Sequence, residues 1–407
     1  MRSVHVNAAI VGGGPAGMML GLLLAKRGAS VVVLEGHDTF EREFRGEILQ
    51  PSTANLLHEL GLLEYILEQP HSIIESGKVR MFGHDVADIS FRKIAPEFPY
   101  AIWMPQSIFL TALLRKAEPL PSFQCWTSAH VSGLIEEDGA YVGVRGMQHG
   151  AEPFEVRADV VVGADGRYSA IAKMGGFTNA YEHHDFDLIW FSIEQPEGWN
   201  NTLRVSLGDS VRGLMLPKYP HHIQTGIGLP VGEWKQWRQR GVAFVADRVR
   251  RLDPIFESFA GNLKDFTPFV PLEGLIRLVD DWARDGLLLI GDSAHTMSPA
   301  GAIGVNVAIA TAAVAAHQLY PRFGHGPIPR AELQRVQQVR EADVRTLHRM
   351  QLQAQKLLVT EKTTSPIAKW TMRTLVPLIL KSPLLPRIQR RMFFGVPLPP
   401  IDPAFTF

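Results

Sequence analysis

Short apolar runs recur along this chain, and three of them end in a glycine-containing turn. Val4 to Val11 is the first, closing on Gly12-Gly13-Gly14-Pro15-Ala16-Gly17. Met18 to Arg27 then carries a helical pattern as far as Gly28, and Val31 to Leu34 is a second apolar run closing on Glu35. This spacing predicts strand, tight turn, helix and strand, the opening of a right-handed parallel unit. Ala158 to Val162 repeats the buried-strand pattern before Gly163-Ala164-Asp165-Gly166-Arg167, and Leu287 to Ile290 does so before Gly291-Asp292-Ser293-Ala294-His295. Each of these places an acid just past the carboxyl end of a strand, where open α/β sheets bind ligands. Between Asp185 and Leu275 the pattern changes to alternating runs such as Gly213-Leu214-Met215-Leu216 and Ile223-Gln224-Thr225-Gly226-Ile227. These predict an inserted, mainly β unit. The longest apolar stretch, Ala302 to Leu319, is interrupted by Asn306, Thr311, His317 and Gln318. It predicts a buried helix, because a membrane span needs about 20 almost uninterrupted apolar residues.

Composition narrows the picture modestly. The 407 residues are 46% apolar and 20% charged, with 41 basic residues balancing 41 acidic ones, so charge offers no pull toward nucleic acid. A lone cysteine, Cys125, can form no internal disulfide and fits a cytoplasmic setting. The first residues enter a strand-like run at once, which leaves no room for a cleavable signal peptide. No His-Glu-x-x-His, Cys/His cluster or Gly-x-Ser-x-Gly elbow is present, so no metal and no protein nucleophile is expected.

The glycines of the first turn have separate tasks. Gly12 permits the turn, Gly14 lets a pyrophosphate approach the backbone, and Gly17 lets helix and strand pack closely. Pro15 and Ala16 open the helix, whose free N–H groups and positive dipole end face the phosphates. Glu35, eighteen residues past Gly17, is placed to accept hydrogen bonds from a ribose diol. This motif alone suits either FAD or a nicotinamide dinucleotide. Asp292 can bind polyol hydroxyls, and the Gly301 to Gly304 turn at a helix N-terminus can stabilise negative charge on a ring system.

These three motifs, in this order, resemble the single-component flavoprotein aromatic hydroxylases, the para-hydroxybenzoate hydroxylase-like FAD monooxygenases. The resemblance spans positions 4 to about 319. It implies a non-covalent FAD, NADH or NADPH as co-substrate, and O₂-dependent hydroxylation of a small aromatic or polycyclic compound through a flavin C4a-hydroperoxide. It implies that Gly12, Gly14, Gly17 and Glu35 hold the ADP half of FAD, and that Arg45 reaches the pyrophosphate. Gln106 would lie near the ribityl chain, and Asp165 would serve both FAD and the approach of NAD(P)H. Asp292 would hold the ribityl chain after Gly291, with Pro299, Gly301, Ala302 and Ile303 beside the isoalloxazine. One departure stands out. The family commonly reads Gly-Gln-Gly-Met-Asn after the proline with an Asp a few residues on, whereas this chain has Gly301-Ala302-Ile303-Gly304-Val305-Asn306, and Thr311 in the helix. The rival readings are a flavin-dependent reductase of a prenyl or other unsaturated substrate, a flavin-dependent halogenase and a non-catalytic flavin-binding protein. The halogenase motif Trp-x-Trp-x-Ile-Pro is missing, since Trp234 and Trp237 are three apart.

The expected fold is α/β, with a discontinuous FAD-binding domain of residues 1–76, 105–180 and 276–330. A mainly β substrate domain of residues 77–104 and 181–275 is interleaved with it, and residues 331–407 form a C-terminal helical cap. No catalytic side chain is singled out. Tyr219 and His222, in a Tyr-Pro-His-His turn, are the residues offered for substrate contact, against the plainer reading of a solvated loop. From Ser365 onward, apolar residues mix with Lys369, Arg373, Lys381, Arg387, Arg390 and Arg391. That mixture reads either as a helical pair covering the substrate pocket or as a peripheral membrane contact.

Overall fold

The computed structural model describes residues 2–41, 48–208, 210–299, 301–358 and 400–407, together with residues 374, 390 and 398. The N-terminal apolar run becomes the strand Arg2–Val11, which pairs in parallel with Val31–Leu34 on one side and Glu152–Gly163 on the other. Leu287–Leu289 extends the parallel set beyond Glu152–Gly163, and Phe123–Trp126 extends it beyond Val31–Leu34. Val31–Leu34 is buried at every position, as are Val160 to Gly163, which is what a sheet covered on both faces demands.

Register decides where the chemistry gathers. Val11 lies beside both Leu34 and Gly163, and Gly163 beside Leu289, so the strands end level. Gly12, Glu35, Ala164 and Ile290 therefore leave the sheet along one edge. The helix Pro15–Lys26 packs against both Gln106–Ala117 and Gly304–Leu319. The last of these is the expected buried helix over the long apolar stretch. No helix among the described residues is long and apolar enough to cross a membrane.

The second sheet has seven strands, in the order Val270–Glu273, Phe186–Glu194, His222–Pro230, Arg212–Lys218, Thr202–Leu207, Ser76–Met81 and His84–Ser90. Period-two alternation splits its side chains between two buried faces. Ile189, Phe191, Met215, Ile223 and Ile227 pack on one face against Trp234, Trp237, Val245, Val249 and Leu252 from the helices Glu233–Gln239 and Val242–Leu252. Trp234 and Trp237 are thus core residues. Leu188, Trp190, Leu214 and Leu216 occupy the other face, in one cluster with Ile48 and Trp103. Asp253 is buried at the rim of the sheet, where Arg204 donates at 2.9 Å and Arg80 at 3.1 Å.

A 29-residue helix, Arg330–Leu358, follows the two sheets. Its buried stripe is mostly polar: Gln337, Arg340, Asp343, His348 and Gln351 all face inward. Those groups clasp the segment that carries Asp292. Gln337 accepts from Trp282 N at 2.9 Å and donates to Asp280 O at 2.8 Å, while Gln351 accepts from Ser298 N at 3.1 Å and donates to Ser298 O at 2.8 Å. The last residues return to the first sheet's helices, where Phe405 is buried and Phe407 N donates to Leu60 O at 2.9 Å. The mixed apolar and basic stretch falls almost wholly on 359–373, 375–389 and 391–397, outside the described residues.

Candidate functional site

A cavity of about 720 Å³ opens along the edge where the parallel strands end. This volume lies within the roughly 300–1,000 Å³ usual for cofactor and small-molecule sites. Its walls come from both sheets. Gly12, Gly14, Pro15, Ala16 and Glu35 line it from the first βα turn, and Gln106, Asp165, Gly291, Asp292, Pro299 and Ala302 from later segments. Trp103, Trp190, Leu216 and Gln224 close the opposite side.

The glycine turn has the geometry its spacing predicts. Gly12 has φ +108°, a conformation that L side chains avoid, and a Cβ there would overlap the Ala164 carbonyl. A Cβ on Gly17 would overlap the Gly12 carbonyl oxygen, so Gly17 sets the close approach of helix and turn without lining the cavity. Gly14 is different: a Cβ there meets nothing within 4 Å. It is also the N-cap of Pro15–Lys26, with no side chain capping the helix, so the first N–H groups face open space. Glu35 is fixed by two backbone donors, Gly13 N at 2.8 Å on Oε2 and His37 N at 3.0 Å on Oε1.

The two acid-bearing loops are tied together. Ser293 Oγ donates to Asp165 Oδ1 at 3.1 Å and accepts from Gly166 N at 3.0 Å, and Arg167 Nε stands 3.8 Å from Asp292. Asp165 also accepts from Ser169 Oγ at 2.5 Å and from Ile171 N at 3.1 Å. Asp165 therefore lines the cavity while its oxygens are engaged in positioning the loops. At the mouth, the Tyr168 hydroxyl donates to Glu273, bridging the two sheets.

The turn that departs from the family pattern is braced from outside itself. Gly301 has φ +82° and Ala302 φ +49°. Asn306 donates to Ala302 O and Ile48 O, both at 2.9 Å, and accepts from Gln50 N at 2.8 Å and Thr53 Oγ1 at 2.6 Å. Gln50 Nε2 donates to Gly301 O at 3.0 Å. Behind the loop, Thr311 Oγ1 lies 3.1 Å from His295 Nε2 and accepts from Arg340 Nε at 3.4 Å. Burial, with the Arg340 charge adding, pushes His295 down to about 3, so it is neutral packing under the loop. Burial likewise pushes His348 down to about 4, and its Nδ1 lies 2.9 Å from the Tyr181 hydroxyl. Cys125 sits in a strand, where burial pushes its thiol up to about 12, away from reactive thiolate chemistry.

Not every expected residue reaches the site. Tyr219 and His222 stand at the tip of the hairpin between Arg212–Lys218 and His222–Pro230, and neither lines the cavity. Gly301 and Ile303 brace the turn without lining the cavity. Arg45 lies outside the described residues.

Three residues that sequence reasoning missed do line it. Trp103, Trp190 and Gln224 are all buried, and Trp103 Nε1, Trp190 Nε1 and Gln224 Oε1 have no hydrogen-bond partner among the described residues. A buried polar group left unpaired costs about 1–3 kcal/mol. The available signal was a glutamine inside the apolar run His222–Pro230, on the same face as Leu216.

A family model described as an FAD binding domain matches residues 5–323. The chain belongs to the FAD-binding domain family. It is 37% identical over 315 residues to 6-methylpretetramide 4-monooxygenase of Streptomyces rimosus, covering 77% of this chain and 74% of that protein. It is 25% identical to protoasukamycin 4-monooxygenase of Streptomyces nodosus subsp. asukaensis, covering 88% of this chain and 89% of that protein. The crystal structure of p-nitrophenol 4-monooxygenase from Pseudomonas putida DLL-E4 superposes with a TM-score of 0.80 at 18% identity, over 98% of this chain and all of that one, which shows the fold. The chain is an FAD-dependent flavoprotein monooxygenase with NAD(P)H as electron donor, and the reductase reading is not favoured. The residues present fit FAD: an open Gly14 cradle at an uncapped helix end, an oriented Glu35 and two linked acid loops share one cavity.

Proposed function

We propose that this protein hydroxylates a small aromatic or polycyclic compound held between FAD and the Trp190–Gln224 face of the second sheet. The observation that carries the reading is a single cavity with the dinucleotide motifs on one wall and an apolar, aromatic sheet face on the other. Bound FAD supplies the redox chemistry, in which NAD(P)H and O₂ are consumed, one oxygen atom enters the substrate and the other leaves as water.

The chain's own residues bind, orient and exclude water. Gly12 and Gly14, with the first N–H groups of the helix that Pro15 and Ala16 open, would receive the pyrophosphate, Gly17 would let that helix approach closely, and Glu35 would receive the ribose. Arg45 would approach the same pyrophosphate. Gln106 and Asp292 would hold the ribityl chain, with Gly291 giving the backbone room. Pro299, Gly301, Ala302 and Ile303 would present the start of Gly304–Leu319 to the ring system. Asp165 would act through Ser293 and Ser169, holding the loops in place. In this reading residues 1–76, 105–180 and 276–330 form the FAD unit, 77–104 and 181–275 the substrate unit, and 331–407 the cap.

The test uses the purified FAD-loaded protein. NADH or NADPH should bleach the flavin under anaerobic conditions. Aerobically, an aromatic substrate should gain one oxygen atom, traced with labelled O₂. Incorporation of label from water, or saturation of a double bond without O₂ uptake, would overturn the proposal.

A further inference from the structure

The helix Arg330–Leu358 carries two glutamines, Gln337 and Gln351, that grip the rest of the chain in the same way. They stand about four turns apart on its inward face, and both are buried. Each uses its amide as a second peptide group, accepting from one backbone N–H and donating to one carbonyl. Gln337 takes Trp282 N at 2.9 Å and Asp280 O at 2.8 Å. Gln351 takes both groups of Ser298, N at 3.1 Å and O at 2.8 Å. The segments they hold differ. Neither Asp280 nor Trp282 lines the cavity, whereas Met297, Ser298 and Pro299 all do.

The lining segment is tethered along its length. At its start Thr296 Oγ1 donates to Asp292 O at 2.8 Å, and further on His295 Nε2 lies 3.1 Å from Thr311 Oγ1. Gln351 holds the end nearest the turn that would face the ring system. That turn includes Ala302 at φ +49°, a conformation that a residue with a side chain keeps only when its surroundings impose it. Gln50 and Asn306 hold Gly301 O and Ala302 O, and Gln351 holds the approach to them. We propose that Gln351 is a positioning residue for bound FAD, acting through Ser298 to keep this segment and the start of Gly304–Leu319 against the ring system. This rests on the placement of the ring in the functional reading above. A helix start held there favours negative charge on the reduced ring, and a loop ordered in advance spares the cofactor the cost of ordering it.

The test compares Gln351→Met with Gln337→Met in the FAD-loaded protein. Both substitutions keep a long, unbranched side chain and leave two buried backbone groups unpaired, so both should melt below the parent. Only Gln351→Met should weaken FAD binding, by about tenfold, and move the midpoint potential of the bound flavin to a more negative value. Gln337→Met should keep the parental affinity and potential. If Gln351→Met gives no folded protein, Gln351→Asn, whose amide is withdrawn by one methylene, replaces it with the same expectations. A parental potential in the Gln351 variant overturns the proposal whatever its melting temperature, and an equal shift in Gln337→Met overturns it too, because the helix would then act only as a structural prop. Incorporation of labelled O₂ by the parent is measured on the same samples. Label uptake with no shift in the Gln351 variant sinks this inference alone, and a shift without label uptake sinks the monooxygenase reading alone.

Discussion

Replacing Gly14 by alanine separates cofactor binding from folding more cleanly than any other change at the site. Gly14 has φ −75° and ψ −177°, which any residue adopts, and its Cβ position is open. In the apoprotein the substitution should therefore be harmless, or stabilising by about 0.4–1 kcal/mol through a less flexible unfolded chain. The open space is also where the uncapped N–H groups of Pro15–Lys26 meet a phosphate. A methyl group there displaces the phosphate and weakens one charge-assisted hydrogen bond or more, each worth about 1.5–3 kcal/mol. FAD affinity should accordingly fall roughly 10- to 150-fold. Gly17→Ala provides the contrast. Its Cβ would overlap the Gly12 carbonyl, so the apoprotein itself should lose about 1–3 kcal/mol or more through overpacking. Thermal melts of apoprotein and titration of FAD by fluorescence quenching read both quantities. Parental FAD affinity in Gly14→Ala, or an apoprotein melting far below the parent, would refute the assignment of that space to the pyrophosphate.

Thr311→Val keeps the shape but removes the oxygen that faces His295 and Arg340, and should cost about 1–3 kcal/mol in urea unfolding; an unchanged midpoint would refute that role. His295 and His348 have folded values of about 3 and 4, below the unfolded value near 6.5. Stability should therefore be fullest above pH 6.5 and fall as pH drops toward 4, because the unfolded chain takes up the protons first. The slope should reach up to about 1.4 kcal/mol per pH unit for each histidine, and His348→Gln should flatten it; an identical slope in the variant would count against burial of a neutral ring. Asp253→Asn leaves Arg80 and Arg204 without their shared carboxylate, and should destabilise the second sheet by about 3 kcal/mol, read from the fluorescence of nearby Trp199, Trp234 and Trp237.

The cofactor half of the site was legible because its determinants are local. Gly17 is required by an overlap with Gly12 in the same turn, Gly12 by its own positive φ, and the acids at 165 and 292 follow directly from strand ends. Parallel register then brings Gly12, Glu35, Asp165 and Asp292 to one edge without further information. The buried helix over Gly304–Leu319 was legible for a similar reason, since its apolar residues outnumber what one face could hold.

The substrate half was not legible because it depends on register between segments far apart in the chain. Gln224 faces the cavity only because Phe186–Glu194 and Arg212–Lys218 pair with its strand as they do, and a slip of one residue would turn it to the opposite core. Tyr219 and His222 drew attention through their residue types, and they lie at the hairpin turn, outside the lining of this cavity. The Arg330–Leu358 helix misleads in the other direction. Its buried stripe contains Gln337, Arg340 and Gln351, which an apolar pattern cannot reveal, because their partners are backbone groups at Trp282, Asp280 and Ser298 and the hydroxyl of Thr311. The Gly301–Gly304 turn follows the same logic. It lacks the glutamine and the later aspartate of the family pattern, and Gln50 and Asn306 hold Gly301 O and Ala302 O from neighbouring elements. The turn is held by side chains on the two elements that flank it, so loss of Asn306 should free the turn even though Asn306 does not itself line the cavity.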